Sequence, residues 1–180
     1  MVEPFPQFRY HPDPIATGAV ERSEKECLAC GRARAFIYVG PVFAEAELVD
    51  ALCPWCIGSG TAAERFDAQY TDVSLGVPVG VPTSATDDIA HRTPGFRGWQ
   101  QEHWLYHCDD GCAFMGEVGR RELDDYPDAL AALRRESQLS GWGEDDVAVY
   151  LDSLTKGGAP TAYLFRCLTC GVHLAYSDFD

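Results

Sequence analysis

All eight cysteines of this chain fall into close pairs, and this limits what its 180 residues can fold into. The pairs are Cys27/Cys30, Cys53/Cys56, Cys108/Cys112 and Cys167/Cys170. In a secreted chain eight cysteines would suggest a disulfide framework. Here the opening stretch, MVEPFPQFRYHPDP, is acidic, polar and proline-containing where a signal peptide needs a basic start and an apolar run. A cytosolic setting is therefore expected, and its reducing conditions argue against structural disulfides. A two-residue spacing has another use. It lets two thiolates converge on one tetrahedral ion, and two such pairs complete a four-sulfur shell.

Distance along the chain suggests which pairs belong together. Twenty-two residues separate Cys30 from Cys53, close to the usual zinc-module gap of roughly 15–20. Cys27, Cys30, Cys53 and Cys56 are assigned to one structural Zn2+. Cys108, Cys112, Cys167 and Cys170 then form a second Zn2+ site by elimination, across a 54-residue insertion. His107 adjoins Cys108, and His173 follows Cys170 by three. Both are alternative ligands, but eight cysteines already make two complete sets.

The flanks of these turns carry fold information. Gly31 and Gly171 each follow the second cysteine of a pair, where a metal-binding turn often needs positive φ. RARAFIYV follows the first turn, while TAYLFR precedes and HLAY follows the last, so both turns are expected to join strands. AEAELVDAL, before Cys53, reads as a helix, and TAAE after Cys56 as a capping box at Thr61 and Glu64. A cysteine turn first and a pair beside a helix second is a treble-clef-like order.

CPWC at Cys53–Cys56 also resembles the active-site turn of glutaredoxins, so a thiol–disulfide oxidoreductase or metal-handling protein is the alternative reading. That fold needs a strand before the motif, and redox work leaves the other six cysteines unexplained. No GxxxxGK[ST], GxSxG or HExxH motif occurs. Adjacent acids such as Asp124/Asp125 point in different directions on a helix and make poor acid–base pairs. A complete four-cysteine shell has no open position for a catalytic zinc. No catalytic residue is expected.

The remaining segments sort into modules. FPQFRYHPDPIATGAV reads as an extended arm over the first zinc module, covering Phe5, Phe8 and Tyr10. Residues 71–98 are rich in Gly, Pro, Thr and Asp and read as a connecting loop. GWQQEHWLYHC concentrates aromatics and is expected in a core. RRELDDYPDALAALRRES and GEDDVAVYLDSLTKGG read as helices, with Pro127 at a break or first turn. This gives a small α+β protein stabilised by zinc, with zinc-knuckle, zinc-ribbon or treble-clef-like modules and a helical insertion. Its parts are an N-terminal module (1–70), a connecting loop (71–98) and a second module (99–180), all within one compact domain or two small ones.

The net charge of −14 bounds the partners. Eight thiolates around two Zn2+ would add four further negative charges. Such a field repels nucleic-acid phosphates and attracts basic proteins, and no basic run concentrates the 14 Lys and Arg residues. No apolar run approaches the roughly 18–20 residues that cross a membrane. Neither nucleic acid nor membrane is expected as a partner.

Five stretches carry a resemblance: FRYHPDPIATGA, LCPWCIGSGTAAERFD, HRTPGFRGWQQEHW, CAFMGEVGRREL and YLFRCLTCGVHLAYSDFD. Together they look like the CbrC family of bacterial proteins, from residue 7 to 180. The family is largely uncharacterised and named for tolerance to a DNase-type colicin. The resemblance implies a role in bacteriocin tolerance or immunity and contributes no catalytic residue. The charge suggests the means: a basic protein partner such as a nuclease toxin, covered by electrostatic complementarity. The resemblance is weakest from Ser137 to Lys156.

Overall fold

The N-terminal arm runs across both halves of the protein. In the computed structural model, which describes residues 3–74 and 76–178, Phe5 and Phe8 pack on a first core built around Tyr38, Leu52, Ile57 and Tyr70. Tyr10 belongs instead to a second core. Its hydroxyl donates to Asp110 Oδ1 at 2.7 Å, and its carbonyl accepts from the Phe114 N–H at 2.7 Å. The arm thus covers the first module as expected and also ties it to the second.

The first half is mostly turns. Strands β1 (Val20–Arg22) and β2 (Phe36–Tyr38) pair antiparallel, Val20 opposite Tyr38. Helix α1 (Pro54–Gly58) begins within the second cysteine pair and carries Cys56, and α2 (Thr61–Phe66) follows it. The expected helix over AEAELVDAL does not form. Its backbone groups are taken by neighbouring segments: Ala51 O accepts from the Leu28 N–H at 2.9 Å and Leu52 O from the Tyr38 N–H at 2.8 Å. The Leu48/Leu52 spacing that suggested a helix instead places two buried anchors of an irregular segment in the first core. The capping box is also absent. Gly60, left-handed at φ 81°, occupies the N-cap, and Thr61 is the first helical residue.

Residues 71–98 are more than a connection. They hold helix α3 (Thr83–Arg92), whose Ala85 and Ile89 enter the second core. Three buried positions among polar and small residues gave too weak a periodicity to mark it. After it, β3 (Tyr106–His107) and β4 (Asp110–Gly111) form a tight hairpin. Strands β5 (Ala113–Val118), β6 (Thr161–Arg166) and β7 (His173–Asp178) make an antiparallel sheet with β6 in the middle. One face meets an aromatic cluster in which Phe96 stacks on Phe114 at 3.9 Å between centroids, with Trp104 and Phe165 edge-on to each other at 5.5 Å. Of the aromatics in GWQQEHWLYHC, Trp104 is core, whereas Trp99 is 52% exposed.

A 3-10 helix (Glu122–Asp125) and helices α4 (Pro127–Leu139) and α5 (Glu144–Ser153) fill the insertion, with Pro127 in the first turn of α4. Pro lacks the N–H that a helix start leaves unpaired, so it fits there without loss. Leu133, Val147 and Leu151 pack with Ala162, Leu164 and Ala175 of the sheet. Both helices agree with the apolar spacing of their sequences. The described parts are therefore α+β, with small antiparallel sheets. Among the described residues no helix is long and apolar enough to cross a membrane.

Two buried contacts lock the halves together. Tyr38 of β2 accepts from the Gly95 N–H at its hydroxyl, 3.1 Å away. A Cβ at Gly95 would overlap the Tyr70 carbonyl oxygen. Gly95→Ala is expected to destabilise the fold by about 1–3 kcal/mol, measured by urea unfolding, because the backbone must move to admit one methyl group. His11 is fully buried, with Nδ1 2.7 Å from Pro94 O and Nε2 2.6 Å from Thr17 Oγ1. A neutral ring protonated at Nδ1 satisfies both, since Nε2 then accepts from the hydroxyl. Burial lowers its pKa from 6.5 to about 4 despite the Pro94 bond, which acts the other way. The unfolded chain then binds the extra proton between these values, so stability falls as pH drops. The expected loss from this group is about 2 kcal/mol between pH 7.5 and 5. His11→Asn should show a correspondingly shallower decline in the same unfolding series.

Candidate metal centres

Two groups of ligand atoms converge, one in each half. In the first, Cys27, Cys30, Cys53 and Cys56 place their sulfurs within 4.8 Å of one another. Tetrahedral Zn–S bonds of about 2.3 Å put sulfurs about 3.8 Å apart; Cys30 and Cys53 are at 4.0 Å. The pairing expected from spacing is the one the fold makes.

Local backbone geometry explains why. Gly31 has φ 66°, and its N–H reaches the Cys27 carbonyl at 2.7 Å, closing a tight turn that aims Cys27 and Cys30 the same way. Cys53 sits at the N-cap of α1, with Pro54 opening the first turn. The Cys53 N–H donates to Cys27 Sγ at 3.2 Å. Cys27, Cys53 and Cys56 are buried. Arg34, whose guanidinium lies 5.5 Å from the Trp55 ring centre, has Cys30, Cys53 and Cys56 among its charged neighbours and pairs with Glu3 at 2.6 Å.

The chemistry of this donor set calls for a cation. The Cys53 hydrogen bond, followed by backbone N–H groups, draws the Cys27 thiol down to about 4 against the pull of burial. The same contact and burial push Cys53 well above the usual thiol range, and burial holds Cys56 at about 12. Four adjacent sulfurs do not all ionise by themselves. A divalent ion at their centre reverses this, because metal binding drives the remaining protons off. A soft, four-sulfur tetrahedral shell suits zinc or an iron–sulfur centre. No two of the eight cysteines form a disulfide.

The convergence also bears on the redox alternative. The argument that CPWC follows a helix fails, since Leu52 bridges Tyr38 in an extended conformation. What separates Cys53 and Cys56 from a simple dithiol is the presence of Cys27 and Cys30 at the same centre.

The second group consists of His107, Cys108, Cys167 and Cys170. It corrects the sequence assignment at one position: His107 is present and Cys112 is not. His107 Nδ1 lies 3.2 Å from Cys108 Sγ and 3.4 Å from Cys170 Sγ. Cys108 and Asp109 are both left-handed, with φ 52° and 57°, and form the two-residue turn of the β3–β4 hairpin. The Cys167–Cys170 turn joins β6 to β7, with Gly171 at φ 77° and its N–H on the Cys167 carbonyl at 3.1 Å. The expectation that both glycines take positive φ and that this turn joins strands agrees with the structure. Two turn tips therefore face each other, and only residues at the tips can reach.

Cys112 lies beyond the hairpin, its N–H bonded to Leu105 O at 2.9 Å. It is near the other sulfurs but not one of the four converging donors. It is fully buried in the aromatic core, and its carbonyl accepts the Trp104 indole N–H at 2.8 Å. Burial pushes its thiol up to about 12, as suits a neutral core side chain. CDDGC differs from the other pairs by one residue, and that extra residue was the available signal: it places Cys108 on a turn and Cys112 past the hairpin, between β4 and β5. His173 is not in the group. Its Nδ1 is 3.5 Å from Asp128 Oδ2, and its N–H donates to the same oxygen at 2.6 Å.

The two centres differ in exposure. His107, Cys108 and Cys170 are exposed, and Cys167 alone is buried. Burial raises the Cys167 thiol, but the N–H groups of Cys170 and Thr169 and the His107 contact outweigh it and hold it at about 6. Both centres supply four donors and so suit ions that cross-link chain segments. With His107 in place of Cys112, seven thiolates and two divalent ions add three negative charges to the −14 of the sequence.

Comparison with known proteins agrees across nearly the whole length. A protein of Mycobacterium bovis is 53% identical over 174 residues, covering 97% of this chain and 93% of its own. A Mycobacterium tuberculosis protein matches to the same extent. A Pseudomonas aeruginosa protein is 39% identical over 181 residues, covering 100% of this chain and 99% of its own. All three are named only as UPF0167 proteins, and none of these names refers to CbrC or to colicin tolerance. No solved structure matches the chain. The sequence profile of the uncharacterised protein family UPF0167 matches residues 5–179, and the chain belongs to that family.

Proposed function

We propose that this is a non-catalytic protein, held in shape by two structural Zn2+ ions, that works in the cytoplasm by binding a basic protein partner. The observation that carries it is the pair of four-donor groups. Each leaves no open coordination position for substrate or water, so an ion there acts as a cross-link. Sulfur-rich tetrahedral donors favour zinc over the harder cations that carboxylates hold. The acidic balance, with 28 Asp and Glu against 14 Lys and Arg, supports the choice of partner. A nuclease toxin, basic because it must bind DNA, belongs to that class. Like charge also opposes a nucleic-acid partner.

Metal analysis of protein purified without added zinc is expected to give two ions per chain. His107→Ala should lower this to one, and Cys112→Ala should leave two. A drop to one in Cys112→Ala with two retained in His107→Ala would reverse the ligand assignment. Cys53→Ser is expected to lose the first ion and several kcal/mol of stability together. A Cys53→Ser protein that keeps its stability and two ions but loses a disulfide-exchange activity would favour the redox reading.

Binding to a basic DNase domain, followed by calorimetry, is expected to weaken at least tenfold between about 50 and 250 mM salt, because exposed charges are screened beyond roughly 10 Å. Salt-independent binding, or none, would rule out the electrostatic mechanism.

A further inference from the structure

A cavity of about 480 Å3 lies beside the β3–β4 hairpin, away from both cysteine groups in its chemistry. Its wall includes Asp72, Pro78, Glu102, His103, Trp104 and Tyr106. Glu102 is the unusual member. It is only 7% exposed, and its Oε1 has no hydrogen-bond partner in the protein. The Tyr106 hydroxyl at the same cavity is likewise buried and unpartnered. Buried polar groups are nearly always hydrogen-bonded, and a buried carboxylate oxygen left without a partner is costly even where, as here, the residue's own backbone N–H bonds the carboxylate. Burial raises the Glu102 pKa, the hydrogen bond from its own backbone N–H opposes this in part, and Asp72 raises it further. A second acid near a buried one deepens the cost of ionisation, the reverse of what a purely structural site requires.

These features share one explanation. An alkylammonium or alkylguanidinium group would supply both positive charge and hydrogen-bond donors. Its methylene stem matches the remaining wall, formed by the Pro78, Trp104 and Tyr106 side chains. A metal ion is a poorer fit, because Glu102 and Asp72 belong to no convergent ligand group among the described residues. An anion is opposed by both carboxylates. From this geometry we infer that the Glu102 cavity binds an organic cation carried on an aliphatic stem, either a lysine or arginine side chain or a free small amine. The inference deepens the proposed binding of a basic protein by giving it a recognition pocket, and it rests on that reading only for the protein source of the cation.

The test is a titration of the zinc-loaded protein, followed by backbone and indole N–H chemical shifts. The probes are n-butylguanidinium, n-butylammonium and the neutral n-butylurea. Saturable shifts are expected at residues 72 and 102–106 and at the Trp104 indole with either cation, and none with the urea. Glu102→Gln, close in shape, should weaken cation binding at least tenfold, and the more exposed Asp72→Asn about threefold. Equal response to the urea, an unchanged affinity in Glu102→Gln, or no saturation by 20 mM cation would overturn the inference. A short arginine-containing peptide separates the sources. Tighter binding than n-butylguanidinium assigns a protein side chain; exclusion of the peptide assigns a small amine. If the DNase domain binds while the cavity ignores both cations, the pocket falls and the partner reading stands. If the cavity binds cations while no basic protein binds, the partner reading falls and the pocket stands.

Discussion

Mutual repulsion among clustered thiolates, which a central cation would relieve, is the constraint around which this chain is arranged. Four sulfurs gather in one half, and three sulfurs with an imidazole in the other. Neither group has a disulfide to hold it, and the first half in particular has little regular structure around it. Among the described residues its strands are three residues long, and its helices five and six. Such short elements do not support one another without a further constraint. An ion held between the Cys27 turn and the start of α1 would provide one, joining two segments that secondary structure alone would leave loosely joined.

The second half depends less on its ligands. The β5–β6–β7 sheet has six-residue strands, an aromatic cluster on one face and two helices on the other. Here the donors sit at the rim, where two turn tips meet, and most of them are exposed. The two donor groups thus sit differently: one is part of the first core, and the other lies at the edge of the second. The N-terminal arm then couples them through Phe8 on one side and Tyr10 on the other.

Much of this was legible in the sequence where local rules decide the outcome. The glycines after Cys30 and Cys170, the strands around the last turn and the two insertion helices all follow from short-range pattern. The failures have a common physical origin. AEAELVDAL has helical spacing, yet its carbonyls are claimed by Leu28 and Tyr38 from elsewhere in the chain. The helix α3 shows few apolar residues because only one face of it meets the core. Choosing between His107 and Cys112 required knowing that the hairpin turns at Cys108, a matter of two left-handed residues that neither composition nor ligand counting contains. The glutamate of the hairpin-side cavity was likewise passed over, since nothing in QQEHW distinguishes a buried acid from an exposed one.

The order of the ligands along the chain has a temporal consequence. Everything the first centre needs is present once Cys56 has been made, whereas the second waits for Cys170. At synthesis rates of about 5–20 residues per second, that interval is on the order of 6–23 seconds. During it the four early thiols can already capture an ion, while His107 and Cys108 stand ready on a hairpin whose partner turn does not yet exist. Metal loading would therefore be staged by translation, with one donor set complete well before the other.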